Sequence, residues 1–358
     1  MNKAIILTGG LFDTNYAKTA HGLVRGTERF DIVGIIDENC GGRLADEIVP
    51  KARPVAIFST LSEFFSKMPG VASHCIIGVA TKGGTLPSAL RPQLIECICH
   101  GLHVVNGLHE ILGEDSELGR LARYKNVEII DIRKPKSFEF LRFWDGSIRQ
   151  VTSYKIAVLG TDCSVGKRTT ARFLMSALNQ AGIGSEMIYT GQTGWMQGAG
   201  YGFIFDATLN DFISGELEGA MLKCFNEKRP RVILIEGQSG LRNPSGPCGA
   251  EFILSAEANA IILQVVPNRK FFKGMEHYPA QIPTTKEELK LLEHYGAPVI
   301  AIAVNTEGML LNEALSYAKN LELEVGIPVV LPIEQGVDRL VELVAKNLEK
   351  HESQENLH

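Results

Sequence analysis

The stretch that most constrains this chain is Val158-Leu159-Gly160-Thr161-Asp162-Cys163-Ser164-Val165-Gly166-Lys167-Arg168-Thr169-Thr170. The apolar run Ile156 to Leu159 reads as a buried strand, and the residues from Lys167 to about Leu178 read as an amphipathic helix. A strand, a glycine-bounded loop closing on Gly-Lys, and a helix make up the phosphate-binding P-loop unit. Glycine lets backbone N–H groups turn toward an anion. The helix N-terminus adds a partial positive charge and Lys167 a full one. An ordinary glycine turn into a helix does not call for a lysine after the second glycine.

The loop departs from the usual pattern twice. Five residues separate Gly160 from Gly166, where the usual loop has four. The place after the lysine, normally a Ser/Thr that ligates Mg²⁺, is Arg168, and Thr169 comes one residue later on a different helical azimuth. A guanidinium cannot ligate a cation but binds phosphate well. The loop therefore reads as a cradle for a diphosphate held by direct charge. The alternative keeps Thr169 as metal ligand and the loop as a site for ATP with Mg²⁺.

A length of 358 residues suggests two domains. A net charge of −5 with no large basic block argues against nonspecific nucleic-acid binding. No apolar run reaches a membrane-spanning length, and Met1-Asn2-Lys3-Ala4-Ile5 lacks the layout of a signal peptide. Seven scattered cysteines fit reduced thiols in a cytoplasm. Cys97, Cys99 and His100 fall on one helix and read as a packed face, so no metal site is expected.

Residues 1 to about 130 alternate strand and helix signals. Strands are expected at Ala4–Leu7, Ile32–Ile36, Cys75–Val79, Val104–Val105 and Val127–Ile130, with helices at Tyr16–Val24 and Pro92–Cys99. That rhythm implies a parallel, doubly wound α/β sheet whose ligands lie beyond the carboxyl ends of its strands. Lys82 and Asn106 stand at such ends and are candidate substrate contacts. Gly9-Gly10 is not followed by the rest of a dinucleotide fingerprint, although Asp37 sits where a ribose-binding acid could. Residues 136 to 154 read as a connector, with Ser147 to Val151 a short strand, and the domain boundary is placed near 150. This gives 1–150 as a Rossmann-like domain and 151–358 as a P-loop domain.

The second domain repeats the rhythm. Glu186–Tyr189 leads into Thr190-Gly191-Gln192-Thr193-Gly194, and Trp195 to Gly202 reads as a glycine-rich loop. Helices are expected over Thr208–Asn226, from a capping box at Thr285-Lys286-Glu287-Glu288, and from Val337 to Leu348, before a frayed tail. The apolar run Val232–Ile235 ends at Glu236-Gly237-Gln238-Ser239-Gly240. An acid at such a strand end is the second recurring part of P-loop proteins. Of the cations that follow, Arg242, Arg269, Lys270 and Lys273, one is expected to be functional.

Gly160-Thr161-Asp162…Val165-Gly166-Lys167, Gln192-Thr193-Gly194 and Ile235-Glu236-Gly237 resemble dethiobiotin synthetase and its P-loop relatives. A longer combination is more specific. The P-loop through Thr170, Thr190-Gly191-Gln192-Thr193-Gly194, Glu236-Gly237-Gln238, Asn106-Gly107-Leu108-His109 and Asp131-Ile132-Arg133-Lys134-Pro135 together resemble the D-glutamate N-acetyltransferase-like family, long described only as a domain of unknown function. The resemblance covers nearly the whole chain. It implies a Rossmann-like first domain, a P-loop NTPase-like doubly wound second domain, and transfer of acetyl from acetyl-CoA to the amine of D-glutamate or a similar acidic amino acid. In that reading the loop from Gly160 to Thr169 holds the coenzyme A diphosphate. Glu236 is the candidate base, Gln192, Thr193 and Gln238 are candidate donors to the tetrahedral oxyanion, and Arg242, Lys82 and Asn106 are candidate carboxylate contacts. A small-molecule substrate, a homo-oligomer and a cytoplasmic location are the matching expectations, with no nucleic acid or membrane partner. One departure stands out: where the family pattern reads E-G-Q-G-x-L-x-H-P, Asn243 replaces the histidine. The alternative activity is ATP-dependent carboxylate activation of the dethiobiotin synthetase type, and a third is a non-catalytic nucleotide-binding protein.

Overall fold

The computed structural model describes residues 1–278 and 280–355, and it divides into two compact units. The first holds Met1–Lys136 together with Gly191–Ala199; the second holds Ser137–Thr190 and the chain from Gly200 onward.

In the first unit six parallel strands, β1 (Asn2–Leu7), β2 (Phe30–Ile36), β3 (Ile57–Phe58), β4 (His74–Ile77), β5 (His103–Asn106) and β6 (Ile129–Asp131), lie in the order β3-β2-β1-β4-β5-β6. That is the Rossmann order. Helices α1 (Lys18–Arg25), α2 (Leu61–Lys67), α3 (Leu90–Cys99) and α4 (Leu118–Lys125) cover the sheet. Alternate residues of β1 and β4 feed two separate cores: Ile5, Leu7 and Ile77 join one, and Ala4, Ile6 and Ile76 the other. Both faces are therefore covered, which is why these strands read as continuous apolar runs. The pair β3–α2 gives no comparable run. Its signal is local: the Thr60 hydroxyl accepts from Glu63 N while the Glu63 carboxylate accepts from Ser59 N.

The second unit is built on seven parallel strands in the order β13-β12-β11-β7-β10-β8-β9. The chain runs through β7 (Tyr154–Gly160), α5 (Lys167–Gln180) and β8 (Ser185–Tyr189). It then joins the first unit, where α6 (Gln192–Met196) forms. It returns through β9 (Tyr201–Gly202), α7 (Ile213–Lys228), β10 (Val232–Glu236), α8 (Ala250–Leu254) and β11 (Ala260–Val265). The last elements are α9 (Thr285–Glu293), β12 (Val299–Val304), α10 (Leu311–Val325), β13 (Val329–Val330) and α11 (Asp338–Glu355). Every residue of β7, β10 and β11 is buried. The tail expected to fray is helical as far as Glu355, and residues 356–358 lie outside the described residues. The capping box falls one residue earlier than the sequence suggested: Thr284 Oγ1 accepts from Glu287 N, and Glu287 Oε2 accepts from Thr284 N. No helix among the described residues is long and apolar enough to cross a membrane.

Two stretches differ in kind from their sequence reading. The glycine-rich loop after β8 begins as the short helix α6, tied into the first unit. Gln197 Nε2 donates to the carbonyls of Gly22 and Gly26 at 2.7 and 3.0 Å, Thr27 Oγ1 donates to Met196 O, and the Arg29 guanidinium lies 4.0 Å over the Trp195 ring. The expected strand at Ser147–Val151 is a 3₁₀ turn over Ser147–Gln150, opened by Gly146 in the left-handed region. The fully buried Glu218 carboxylate accepts from Ile148 N and Asp145 N and lies 3.4 Å from the Arg142 guanidinium. The alternation at 147–151 thus reflects two buried side chains, Ile148 and Val151, in a turn whose backbone is held by Glu218 of α7. These contacts place the connector with the second unit from Ser137 onward.

The connector reaches α7 because Gly215 has no side chain: a Cβ there would stand 2.0 Å from Arg142 O. Gly215→Ala is therefore expected to destabilise the protein by about 1–3 kcal/mol, the range for overpacking a filled site. A urea midpoint equal to that of the parent would show that the connector does not rest on this helix.

Candidate phosphate-binding site

The P-loop joins β7 to α5. Gly166 occupies the N-cap of α5 at φ 110°, a conformation other residues rarely adopt, and it offers no side chain to cap the helix. The N–H groups of the first turn are thus left for an external acceptor. Thr161 is 3% exposed, and its Oγ1 is buried with no hydrogen-bond partner; the buried Ser239 Oγ also has none. Lys167 is 7% exposed, and its Nζ donates to Asp162 O at 2.7 Å and to Ser239 O at 2.6 Å. A buried ammonium thus sits between two carbonyls whose neighbouring hydroxyls lack partners. Burial pulls the Lys167 ammonium below the ordinary lysine value, opposed by the carboxylates of Asp162 and Glu236. Burial likewise lowers half-buried Arg168, opposed by Glu236 and reinforced by Arg172.

The loop is held from beneath by one carboxylate. Asp162 is fully buried. Its Oδ1 accepts from Cys163 N at 2.6 Å and from Asn243 Nδ2 at 2.9 Å, and its Oδ2 from Lys273 N at 2.8 Å and Arg269 Nη1 at 3.0 Å. Arg269 also donates to Cys163 O at 2.7 Å and pairs with Glu307 at 2.7 Å. Lys273 Nζ donates to Ser164 Oγ at 3.1 Å. Ser164 itself stands at φ 54°, a left-handed conformation for a non-glycine residue. Asn243, at the place of the expected histidine, accepts on its own Oδ1 from Ser245 N and Oγ, so its amide orientation is fixed from both ends.

Beside the loop, β10 pairs with β7 in register, with Glu236 opposite Val158. Glu236 is 4% exposed. Its Oε2 accepts from Thr190 N at 3.1 Å, its carbonyl accepts from Thr190 Oγ1 at 2.6 Å, and Gln238 Nε2 donates to that same hydroxyl at 2.9 Å. The structure therefore brings Glu236 and Gln238 together through Thr190, a residue the sequence reading treated only as part of a turn. Thr170 Oγ1 donates to Gln264 Oε1 at 2.7 Å, which ties α5 to β11.

The other sequence candidates have other surroundings. Gln192 and Thr193 lie on α6 in the first unit, where Thr193 Oγ1 is 3.1 Å from Thr19 Oγ1. Asn106 is fully buried: its Nδ2 donates to Glu110 O and Asp131 Oδ1, and its Oδ1 accepts from Leu108 N. That leaves its amide committed to the β5–β6 edge and makes it a brace instead of the expected substrate contact. Asp37 is committed in the same way, accepting from Thr8 Oγ1 and from the backbone of Phe12, Asn39 and Cys40. Lys82 opens a 3₁₀ turn, and its side chain lies outside the described part of the structure. The Arg242 guanidinium faces Glu288 at 3.3 Å and Glu287 at 3.7 Å. Of the four cations that follow β10, Arg269 and Lys273 are the two at the loop; Lys270 is exposed, with its amine 5.3 Å over the Phe271 ring.

Residues 142–341 match a P-loop domain described as a domain of unknown function, DUF1611, and residues 38–135 match the Rossmann-like domain of the same name. The chain belongs to the DUF1611 family. A crystal structure of a DUF1611 family protein from Anabaena variabilis superposes with a TM-score of 0.87 at 27% identity, covering 97% of this chain and 100% of that one. Two relatives named D-glutamate N-acetyltransferase are similar over most of their length. The protein from Tritonibacter scottomollicae is 30% identical over 76% of this chain and 81% of its own. The one from Pseudoalteromonas is 29% identical over 75% and 80%. The two domains and their order in this DUF1611 chain are those the motifs implied.

Asn243→Ala removes one donor from the buried Asp162 carboxylate and is expected to cost about 1–3 kcal/mol of stability. Asn243→Asp is expected to cost more at neutral pH, because two buried carboxylates then face each other and the pKa of one is raised above its unfolded value. A raised carboxyl pKa penalises the folded state at high pH and ceases to do so once the group is protonated. The gap between the two variants should therefore close as pH falls. Melting curves from pH 8 to pH 5 check this; a gap independent of pH would mean that Asn243 does not face the carboxylate.

Proposed function

We propose that this chain is an N-acetyltransferase that moves acetyl from acetyl-CoA to the amine of D-glutamate or a similar acidic amino acid, with the P-loop holding the coenzyme A diphosphate. The observation that carries the reading is the loop itself. A buried ammonium, an uncapped helix start and a buried, unpartnered Thr161 hydroxyl meet there, and the residue after the lysine is Arg168 instead of a metal-ligating hydroxyl. The names of the two relatives supply the reaction class.

The fit to coenzyme A is chemical. Lys167 and Arg168 supply charge for a diphosphate without a metal, and the first N–H groups of α5 and Thr161 Oγ1 supply neutral donors. Acetyl-CoA brings an acyl group already activated as a thioester. What the protein must add is proton removal from the substrate ammonium and donors for the oxyanion. We assign the first task to Glu236, which Thr190 holds, with Gln238 donating to the holding hydroxyl. Its charge is also felt by Lys167 and Arg168, which gives it a second possible task as counter-charge to the phosphate cations.

Glu236→Gln separates the two tasks. As base, its loss lowers kcat by about 10² or more, the scale of general base catalysis, with acetyl-CoA affinity nearly unchanged. A changed affinity with near-normal kcat at saturation would instead place Glu236 with the cofactor. The reading as a whole is tested by metal. Acetyl transfer is expected to survive EDTA. Lys167→Ala and Arg168→Ala should each weaken acetyl-CoA binding about 10- to 150-fold, the loss of one charge-assisted contact. Arg168→Ser should not restore it, because it returns a metal ligand and not a charge. Turnover abolished by EDTA, together with ATP hydrolysis, would overturn the acetyltransferase reading in favour of an ATP/Mg²⁺-dependent carboxylate-activating enzyme, with Thr169 as the metal ligand.

A further inference from the structure

Helix α10 is apolar on two sides. Its inner side, Ala314, Ala318 and Leu321, is buried in the core of the second unit. Its outer side is not covered. Leu310 at the N-cap, Leu311, Leu315 and Leu323 are 37 to 76% exposed, and they are four of the seven exposed leucines among the described residues. One exposed leucine needs no cause. Four on one helix make an apolar patch on the order of a few hundred Å², the scale that marks an interaction site. Leu311, Leu315, Lys319 and Leu323 recur every four residues and so form a single ridge. Beside it lies a groove of about 320 Å³, lined by Leu315, Ala318 and Leu323 together with Val329 of β13 and Arg339 of α11. The far wall of the groove is fixed: both Nη atoms of Arg339 donate to the Glu322 carboxylate at 2.7 Å, and Nη1 donates to Val329 O at 3.3 Å. β13 ends the strand order of its sheet, so no further strand among the described residues covers this side.

We infer that the outer face of α10 binds a second copy of this chain across a two-fold axis. A ridge beside a groove on one helix is what like-with-like packing needs: two such four-residue ridges interdigitate at about −50°, the commonest class of helix pair. The order of the residues is self-complementary as well. Leu315 and Leu323 stand one turn before and one turn after Lys319. An axis beside Lys319 therefore sets Leu315 of each copy against Leu323 of the other, the isologous arrangement in which one patch serves both sides. Lys319 is exposed and makes no ion pair among the described residues. In the pair it comes within one turn of Glu322 of the opposite copy, so the charges match as the leucines do. The leucines and the groove walls of the two copies together bury on the order of 1,200 Å², the lower end of the range for specific, stable interfaces. The pair is thus a reversible one, and its population follows protein concentration.

The test is the mass of the full-length protein in solution, by sedimentation velocity between about 1 and 100 µM, the span that reads a micromolar Kd. The parent should reach an even multiple of the chain mass at the upper end. Leu315→Glu and Leu323→Glu should each halve that mass, with Kd raised about 100-fold or more, because the two-fold axis counts each buried carboxylate twice. Leu323 is the more exposed of the two, so its variant carries the test if Leu315→Glu does not fold, and melting curves of each variant check the fold. Phe140→Ser is the control: Phe140 is as exposed as these leucines but lies on the connector, and this variant should keep the parent's mass. A parent that stays monomeric throughout overturns the inference. So does a parent mass unchanged in folded Leu315→Glu and Leu323→Glu, and so does a mass halved by Phe140→Ser, which moves the contact to the exposed aromatic side chains of the connector.

Discussion

The arrangement of the second unit's site depends on one buried carboxylate. Asp162 lies inside the phosphate loop with no exposure to solvent, and four protein donors converge on it from three parts of the chain. A buried charge is tolerated only when it is paired and hydrogen-bonded. Meeting that requirement draws Asn243 from the segment after β10, and Arg269 and Lys273 from the segment after β11, onto the first half of the loop. The longer spacing between Gly160 and Gly166 is the part of the loop those segments hold. A loop fixed in this way presents its N–H groups without having to order itself when an anion arrives, which is the condition for tight binding at low entropic cost.

The same bracing sets the charge balance. Lys167, Arg168 and Lys273 are all lowered by burial, so the site without a ligand holds positive charge that is poorly solvated. In the proposed reading, an anion of matching charge is the stabilising partner of these cations. Glu236, at the end of β10, is the carboxylate that moderates the field. Thr190 holds the residue by donating twice, from its backbone N–H to the carboxylate and from its hydroxyl to the Glu236 carbonyl.

The fold was legible where burial on both faces left long apolar runs. β7, β8 and β10 lie within one or two residues of where the sequence put them, and the P-loop strand–helix unit is where Gly166-Lys167 placed it. What escaped was short or set by distant partners. β3 has two residues, and the turn at Ser147–Gln150 owes its form to Glu218, seventy positions away from Ile148. The helix α6 takes its place from Gln197 and Trp195 meeting residues of the first unit far earlier in the chain. Site residues divide in the same manner. Lys167 and Glu236 stand where their local motifs put them, at the start of α5 and the end of β10. Asn106, Asp37 and Arg242 looked available in the sequence, yet Asp131, the Phe12–Cys40 backbone and Glu288 occupy them in the fold. Asn243 was noticed only as a departure from a family pattern, and its contact with Asp162 spans 81 positions.

The most direct measurement is the melting temperature of the full-length protein with each ligand in turn, since a ligand that binds only the native state raises it by mass action. A loop built for a metal-free diphosphate predicts a clear, saturable rise with coenzyme A in EDTA and little with ATP and Mg²⁺. A rise with ATP and Mg²⁺, and none with coenzyme A, would contradict the account.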